Sequence, residues 1–489
     1  MMFRRIFLAA AVAGLATQVF AGPQHVTRAE RPEPRGKIFS ADPADRLASH
    51  IAKSRVSGQS ALVLIDMATG RVLESHNPNK AMPPASVTKV ATTLYAIDRL
   101  GPNFRFVTRV LATGPVAGGK IQGDLVLVGG GDPALDSDEM AGLIQDIRGQ
   151  GITGVTGQFR YYAAGLPNLR EIDRGQPANA GYNPGVSGLN LNFNRVYFEW
   201  KPKNGRMDLS LQARAERHSP MVRGFSVSAA NRSGPIYRYS EKGGADHWSI
   251  AAGALKKPGG VWLPVRAPAS YGAEVFHTLA HHYGLVLPAP RATNTRPSGT
   301  EIARFTRREL KLVCRGMLHF STNLTAEVLG LTASSANSLT SSAGKMSSWL
   351  RAQYGTSSAK FRDHSGLADE NRISAHDMAA IVARAGHHGL LDGVLRRHFV
   401  AGSNGKKPVA EDVEVRAKTG TLNFVRGLSG IIHGRSGKKF AFAIFSADMA
   451  ARSRIDGTQS RPRGTKTFAS RARALEQAVL ADWIRRYAL

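Results

Sequence analysis

The sequence predicts an α/β fold of the α+β kind: an antiparallel sheet flanked by helices, its strands drawn from both ends of the chain, with a β-rich insertion over 105–265. Three observations predict it. Strongly apolar strands at Gln59–Asp66 and, near the other end, at Val425–His433 and 439–448 bracket a helical middle. From Ser86 onward Val87, Val90, Leu94 and Ile97 recur at helical spacing until Gly101 stops the pattern. After Gly101 the texture changes to short β-like runs separated by Gly-rich turns, which continue to about Val261.

Taken in order, Arg4-Arg5 precede an apolar run from Ile6 to Phe20, and Val19-Phe20-Ala21 is a small-residue cleavage signature. Residues 1–21 therefore read as a secretory signal peptide, leaving an exported, soluble, periplasmic chain of about 468 residues (489 minus 21). No later stretch is long and apolar enough to span a bilayer. Residues 22–39 are polar and Pro-rich, a flexible lead-in. A helix follows at 44–54, and Gln59–Asp66, the Ala68-Thr69-Gly70 turn and 71–75 form a hairpin. Runs at 106–111, 120–128 and 196–200 mark the insertion; a helix at 269–283 ends it. Helices are expected at 302–319, 324–331, 343–354 and 375–385, then the two late strands. A last amphipathic helix carries Leu475, Val479, Trp483 and Tyr487 at spacing four. The expected organisation is a first part at 22–104, an inserted part at 105–265 and a second part at 266–489.

Charge and cysteine narrow the function classes. Lys and Arg number 65 against 36 Asp and Glu, a formal net charge of +29. An exported chain without an aromatic-basic recognition motif does not point to nucleic acid. Electrostatic association with anionic cell-envelope polymers fits better, because such charge raises local concentration and on-rate. Cys314, the single cysteine, lies in an apolar helical stretch and reads as a buried inert thiol.

Ser-x-x-Lys puts a hydroxyl and an amine one helical turn apart on one face, the arrangement for a serine nucleophile activated by a lysine base. Five matches occur: Ser86/Lys89, Ser342/Lys345, Ser357/Lys360, Ser403/Lys406 and Ser436/Lys439. The last four fall in segments containing Gly or following a turn, whereas Ser86 follows Pro83-Pro84-Ala85 and opens a clean helix. Lys418-Thr419-Gly420-Thr421 supplies the one Lys-Thr-Gly. The two motifs occur together in penicillin-binding proteins and class A β-lactamases.

With these residues the chain resembles the class C penicillin-binding proteins, the exported D-alanyl-D-alanine carboxypeptidase/endopeptidase family. Pro84-Ala85-Ser86-Val87-Thr88-Lys89 is similar to that family's nucleophile motif, Ser321-Thr322-Asn323 with Leu324-Thr325-Ala326-Glu327 to its Ser-x-Asn segment, and Lys418-Thr419-Gly420-Thr421 to its third motif. Gly123-Asp124-Leu125-Val126-Leu127, Gly129-Gly130-Gly131-Asp132-Pro133, Asp363-His364-Ser365-Gly366-Leu367 and Asn371-Arg372-Ile373-Ser374 resemble further family segments. Ser335-Ala336-Asn337 is a rival Ser-x-Asn without the Leu-x-Ala-Glu continuation. Two departures stand out. Thr322 occupies a position usually held by Asp. Where some members carry a carboxylate shortly after Val-Thr-Gly, Tyr161-Tyr162 follow Val155-Thr156-Gly157 here.

The resemblance implies a penicillin-recognising serine transpeptidase-like domain acting on peptidoglycan D-Ala-D-Ala peptides and acylated by β-lactam antibiotics. On it Ser86 becomes the acyl-serine, Lys89 the base that must be neutral, and Ser321 a proton relay. Asn323 holds the substrate amide or orients Lys89. Lys418, Thr419 and Thr421 bind the terminal carboxylate, and Lys418 depresses Lys89 by like-charge repulsion. The N–H groups of Ser86 and Thr421 form an oxyanion hole, where one donor is typically worth about 3 kcal/mol. A β-lactamase with the same motifs and a non-catalytic wall-binding relative are the other readings. No cofactor is implied, and no metal: His281-His282 are adjacent on a helix, so their rings point apart. His-Glu-x-x-His and Gly-x-Ser-x-Gly are both missing from the sequence.

Overall fold

The structure, a computed structural model, describes residues 42–489 except 205, 243–244, 403–404, 406 and 456–461. The signal peptide expected at 1–21 and the lead-in at 22–39 lie outside the described residues. Ten α-helices are described: α1 (Pro43–Ser54), α2 (Thr88–Leu100), α3 (Ser137–Gly149), α4 (Pro268–His282), α5 (Leu310–Phe320), α6 (Asn323–Ser334), α7 (Leu339–Tyr354), α8 (Ala375–His387), α9 (Met449–Arg452) and α10 (Thr465–Trp483). None of the described helices is long and apolar enough to cross a membrane.

The central sheet has six strands in the order Arg396–Arg397, Glu414–Leu422, Val425–His433, Lys439–Ala447, Gln59–Asp66 and Val72–His76. Every neighbouring pair is antiparallel. Early and late parts of the chain meet where Val63 pairs with Ala443 and Leu64 with Phe442. The unbroken apolar run at Gln59–Asp66 follows from burial on both faces. Ala61, Val63 and Ile65 join one core with Met378, Ile381 and Val382 of α8. Leu62 and Leu64 join a second core with Leu475, Val479 and Trp483 of α10. Glu74, on the edge strand, is buried and accepts hydrogen bonds from Trp483 Nε1 (3.1 Å), Tyr487 OH (2.8 Å) and Arg46. The last helix is thereby tied to the first hairpin by a fully partnered carboxylate.

Between α2 and α5 the chain builds a separate core. A five-stranded sheet runs Arg291–Thr293, Phe159–Tyr162, Leu125–Val128, Thr108–Ala112, Thr300–Phe305, with α3 and α4 contributing to its packing. Three smaller three-stranded sheets complete this part. Pairing of Thr300–Phe305 with Thr108–Ala112 carries the β-rich part beyond the expected end at 265. It also turns the first residues of the expected helix 302–319 into a strand: cross-strand pairing outweighs the local helical pattern, and α5 begins only at Leu310. Several elements were not expected, among them α3 and the strand Glu414–Leu422. α3 opens with a capping box between Asp136 and Glu139, a signal present in the sequence. The strand Glu414–Leu422 carries Lys418-Thr419-Gly420-Thr421, and its apolar content is too interrupted for periodicity to reveal it. Cys314 is fully buried, its thiol pushed up to about 12 by burial, and it is inert at neutral pH.

Gly430 sits where this strand crosses its neighbour, opposite Ala417. A Cβ there would lie 2.0 Å from the Arg416 carbonyl oxygen and 2.6 Å from Ala417 Cα, both backbone atoms. Gly430→Ala should cost about 1–3 kcal/mol or more, read as a lower denaturant midpoint. Gly253→Ala, where a Cβ meets nothing within 4 Å, should leave the midpoint unchanged.

Candidate active site

Pro83-Pro84 deliver the chain into a single 3-10 turn, Ala85–Val87, from which α2 continues at Thr88. Ala85 sits at φ 48°, a left-handed conformation that a side-chain-bearing residue adopts only when its surroundings enforce it. Two glycines enforce it. A Cβ on Gly366 would lie 1.8 Å from the Ala85 carbonyl oxygen, and one on Gly420 would lie 2.5 Å from the Pro84 oxygen and 3.0 Å from Ser86 N. The strand carrying Lys418-Thr419-Gly420-Thr421 can therefore press directly on the turn that presents Ser86.

One helical turn on, Lys89 is fully buried. Its Nζ lies 2.9 Å from Ser86 Oγ, 2.7 Å from Asn323 Oδ1 and 2.7 Å from the Ser365 carbonyl oxygen. Burial first, and then the nearby Lys418 cation, lowers the Lys89 amine to about 7; Glu327 and Asp363 push the other way. Lys418 is itself lowered to about 8, by burial and then by Arg426 and Arg396. Its Nζ donates to the Thr419 carbonyl at 2.8 Å.

Asn323 is oriented by a second contact, since its Nδ2 donates to the Tyr182 carbonyl at 2.9 Å and its oxygen is left to face Lys89. In this conformation Asn323 serves Lys89 rather than an open amide site. Thr322 turns away and donates to Thr325 Oγ1 at 2.9 Å, at the start of α6. Ser321 ends α5 at φ 58°. Among the described residues no hydrogen bond joins its hydroxyl to Ser86 or Lys89, although all three motifs converge on one place. Ser86, Ser321, Asn323 and Thr421 line a single cleft of about 890 Å³.

The competing matches separate from this arrangement. Ser342 and Lys345 do lie on a helix, α7, but the buried Ser342 hydroxyl bonds His364 Nε2 (2.6 Å) and Ser334 Oγ (2.8 Å), while Lys345 donates to the Ser334 carbonyl. Lys439 donates to Asp392 Oδ2 at 3.0 Å. Ser403 and Lys406 lie outside the described residues. Ser335 and Asn337 line a different cavity of about 740 Å³.

Several residues of the site had no assigned role in the sequence. Glu327, fully buried, accepts from the backbone N–H groups of His364 (3.0 Å) and Ser365 (2.9 Å) and thereby holds the loop whose Ser365 carbonyl meets Lys89. Asp363 accepts from Gly366 N (2.7 Å), Ala368 N (2.6 Å) and Asn371 Nδ2 (2.9 Å). Burial raises both carboxyls, and the neighbouring Asp363 charge adds to the shift of Glu327, which reaches about 8. Arg426 holds Glu476 in a buried ion pair (Nη2 to Oε2, 2.9 Å) and donates Nη1 to Thr421 Oγ1 at 3.0 Å. Tyr161 lines the 740 Å³ cavity instead of the cleft, whereas Asp173, Asp369 and Glu370 do line the cleft.

An antiparallel sheet with a Ser-x-x-Lys helix, a Ser-x-Asn corner and a Lys-Thr-Gly strand around one cleft defines a penicillin-recognising serine enzyme. The chain belongs to the D-Ala-D-Ala carboxypeptidase 3 (S13) family, which it matches over residues 44–462. It is 25% identical over 423 residues to a D-alanyl-D-alanine carboxypeptidase of Actinomadura sp. (strain R39), covering 79% of this chain and 77% of that protein. A carboxypeptidase of Mycobacterium tuberculosis is 25% identical over 421 residues, covering 80% and 76%. The fold matches the crystal structure of penicillin binding protein 4 from Haemophilus influenzae with a TM-score of 0.71 at 20% identity, over 89% of this chain and 98% of that one. The chain is accordingly an enzyme of the serine-type D-Ala-D-Ala carboxypeptidase class.

The Lys89 amine should titrate near pH 7, followed by NMR of isotope-labelled lysine. Removing a neighbouring cation favours the charged form, so in Lys418→Ala the titration should move to higher pH. A Lys89 that titrates at the ordinary lysine value in the unsubstituted protein contradicts this account of the site.

Proposed function

We propose that the chain hydrolyses D-alanyl-D-alanine bonds of peptidoglycan stem peptides or cross-links through an acyl-Ser86 intermediate. The 2.9 Å contact between the depressed Lys89 amine and Ser86 Oγ carries this reading. Neutral Lys89 takes the hydroxyl proton as Ser86 Oγ attacks the carbonyl carbon. The N–H groups of Ser86 and Thr421 receive the oxyanion. Collapse expels the terminal D-alanine, whose amine takes a proton with the Ser321 hydroxyl as relay through the substrate-filled cleft. Water then attacks the ester carbonyl, its proton passing to Lys89, which returns it to Ser86 Oγ as the acyl–oxygen bond breaks and the shortened peptide leaves as a carboxylate. For the departing residue's carboxylate, Arg426 already donates to Thr421 Oγ1, so the Thr421 O–H is free to donate to substrate. Lys418 and Thr419 complete that anchor.

Export, with Ala21 as the last residue removed, and periplasmic residence remain part of this reading. So does attraction of the +29 chain to anionic envelope polymers. Penicillin mimics the scissile peptide, and a labelled penicillin should add one covalent equivalent on the peptide containing Ser86, with Ser86→Ala abolishing it. Label at Ser342, Ser357, Ser403 or Ser436 would sink the assignment. Rapid loss of the acyl adduct would favour β-lactamase action over a long-lived penicillin complex.

Asp173 favours a second point, on specificity. Its carboxylate accepts from Gly175 N (3.0 Å) and Gln176 Nε2 (2.8 Å), is half-buried, and lines the cleft that holds Ser86. A free amine on the stem-peptide side chain gains an ion pair there. The specificity constant for an amine-bearing peptide should exceed that for its acetylated form by about tenfold, roughly 1.4 kcal/mol. Asp173→Asn should erase most of that ratio. Equal constants in the unsubstituted enzyme would exclude the role.

A further inference from the structure

Far along the chain from the acyl-transfer residues, His277 and His281 stand one turn apart on the last turns of α4. His282 turns away, its ring against Tyr283 at 4.9 Å, so the adjacent histidines indeed diverge and the pair that forms is i, i+4. The Nε2 atoms of His277 and His281 are 3.1 Å apart. Each also approaches the Leu287 carbonyl oxygen, at 3.0 Å and 3.1 Å. Three atoms that can each present a lone pair thus form a nearly equilateral triangle.

No neutral tautomer satisfies all three sides. The carbonyl only accepts. If both Nε2 atoms carry hydrogen, two N–H groups converge on one oxygen and face each other. If one carries it, the other nitrogen sets its lone pair against the carbonyl lone pairs. A cation above the triangle resolves the conflict, because all three atoms then direct lone pairs at it. Donors bound at about 2.0–2.2 Å with inter-ligand angles of about 90–110° lie roughly 2.8–3.6 Å apart, a range that includes the spacing seen here.

We propose that His277 Nε2, His281 Nε2 and the Leu287 carbonyl bind a divalent transition-metal ion, with Zn²⁺ as the probe. Both imidazoles then carry hydrogen on Nδ1, and any Nε2 proton is released on binding. Imidazole nitrogen selects Zn²⁺, Ni²⁺ or Cu²⁺ over Mg²⁺. Among the described residues no cluster of three His, Cys, Asp or Glu side chains forms, so water fills the other positions and the ion exchanges readily. His281 is exposed, which leaves a path for entry. The ion would pin the end of α4 to the segment whose Val286 N donates to the Thr153 carbonyl at 2.8 Å, stapling helix to sheet within the inserted part.

The test is calorimetric titration of untagged, chelator-treated protein with Zn²⁺, and with Mg²⁺ for comparison. One equivalent of Zn²⁺ should bind, raise the thermal midpoint, and be followed by no Mg²⁺ signal. His281→Ala and His277→Ala should each weaken Zn²⁺ binding by about 10–100-fold, while His282→Ala leaves it unchanged. No saturable Zn²⁺ binding, or binding that survives the double variant, overturns the proposal. If His277→Ala fails to fold, X-ray absorption on the unsubstituted Zn²⁺ complex decides: two imidazoles support the site, none or one overturns it.

Discussion

The valence of one buried amine organises the catalytic half of this molecule. Neutral Lys89 has two hydrogens and one lone pair. Two of its three contacts, Asn323 Oδ1 and the Ser365 carbonyl, can only accept, so they take both hydrogens. The lone pair is then left for the Ser86 hydroxyl, the third contact. The base role proposed for Lys89 is thus compatible with the hydrogen-bond count before any pKa is considered. Burial and the Lys418 cation add the remaining condition, that the amine lose its proton near neutral pH. The same count explains why the surroundings are so fully specified. Asn323 must present oxygen, which the Tyr182 carbonyl ensures by taking its Nδ2, and Ser365 must present its carbonyl, which Glu327 ensures by holding the two preceding N–H groups.

Backbone proximity supplies the rest. The Lys418–Thr421 strand and the 363–367 loop close on the Ser86 turn from different directions, with Gly420 and Gly366 at the contact points. Either position, given a side chain, would have to push away the turn that presents Ser86. The left-handed Ala85 is the local strain that this closeness sustains. Tyr182 shows that the inserted part is no passive appendage. It belongs to the segment between α2 and α4, yet its carbonyl sets the rotamer of Asn323 beside the buried amine.

The sheet from both chain ends, the helix α2 that follows Ser86 and the segment Lys418-Thr419-Gly420-Thr421 were legible because each rests on local periodicity or a fixed motif spacing. What escaped was set by contacts between distant segments. Ile302–Phe305 pairs with a strand nearly two hundred positions earlier, and no local pattern records that. Glu327 and Asp363 were visible only as residues inside motifs, since their work is to accept backbone N–H groups across a fold not yet assembled. Ser342-Ala343-Gly344-Lys345 shows the converse error. Its glycine argued for a turn, yet the segment is helical, and what distinguishes it from Ser86 is that Ser342 is engaged by His364 and Ser334 rather than by its own lysine.

The cleft also reconciles a strongly basic chain with a substrate that carries both charges. Lys418 and Arg426 lie beneath the Thr421 end, buried and held by the strand and by Glu476. Carboxylates line the same cleft, with Arg452 donating to Asp369 and leaving Asp173 and Glu370 on the wall. Under the proposed reading a peptide with a terminal carboxylate and a side-chain amine meets complementary charge at each end. Reversing it sets carboxylate against Asp173 and amine against Lys418, and like-charge juxtaposition in a partly desolvated site costs several kcal/mol. The net charge of the whole chain acts at long range on anionic polymers, whereas this local separation of sign acts only within the cleft. Capture and orientation can therefore be governed by different residues without conflict.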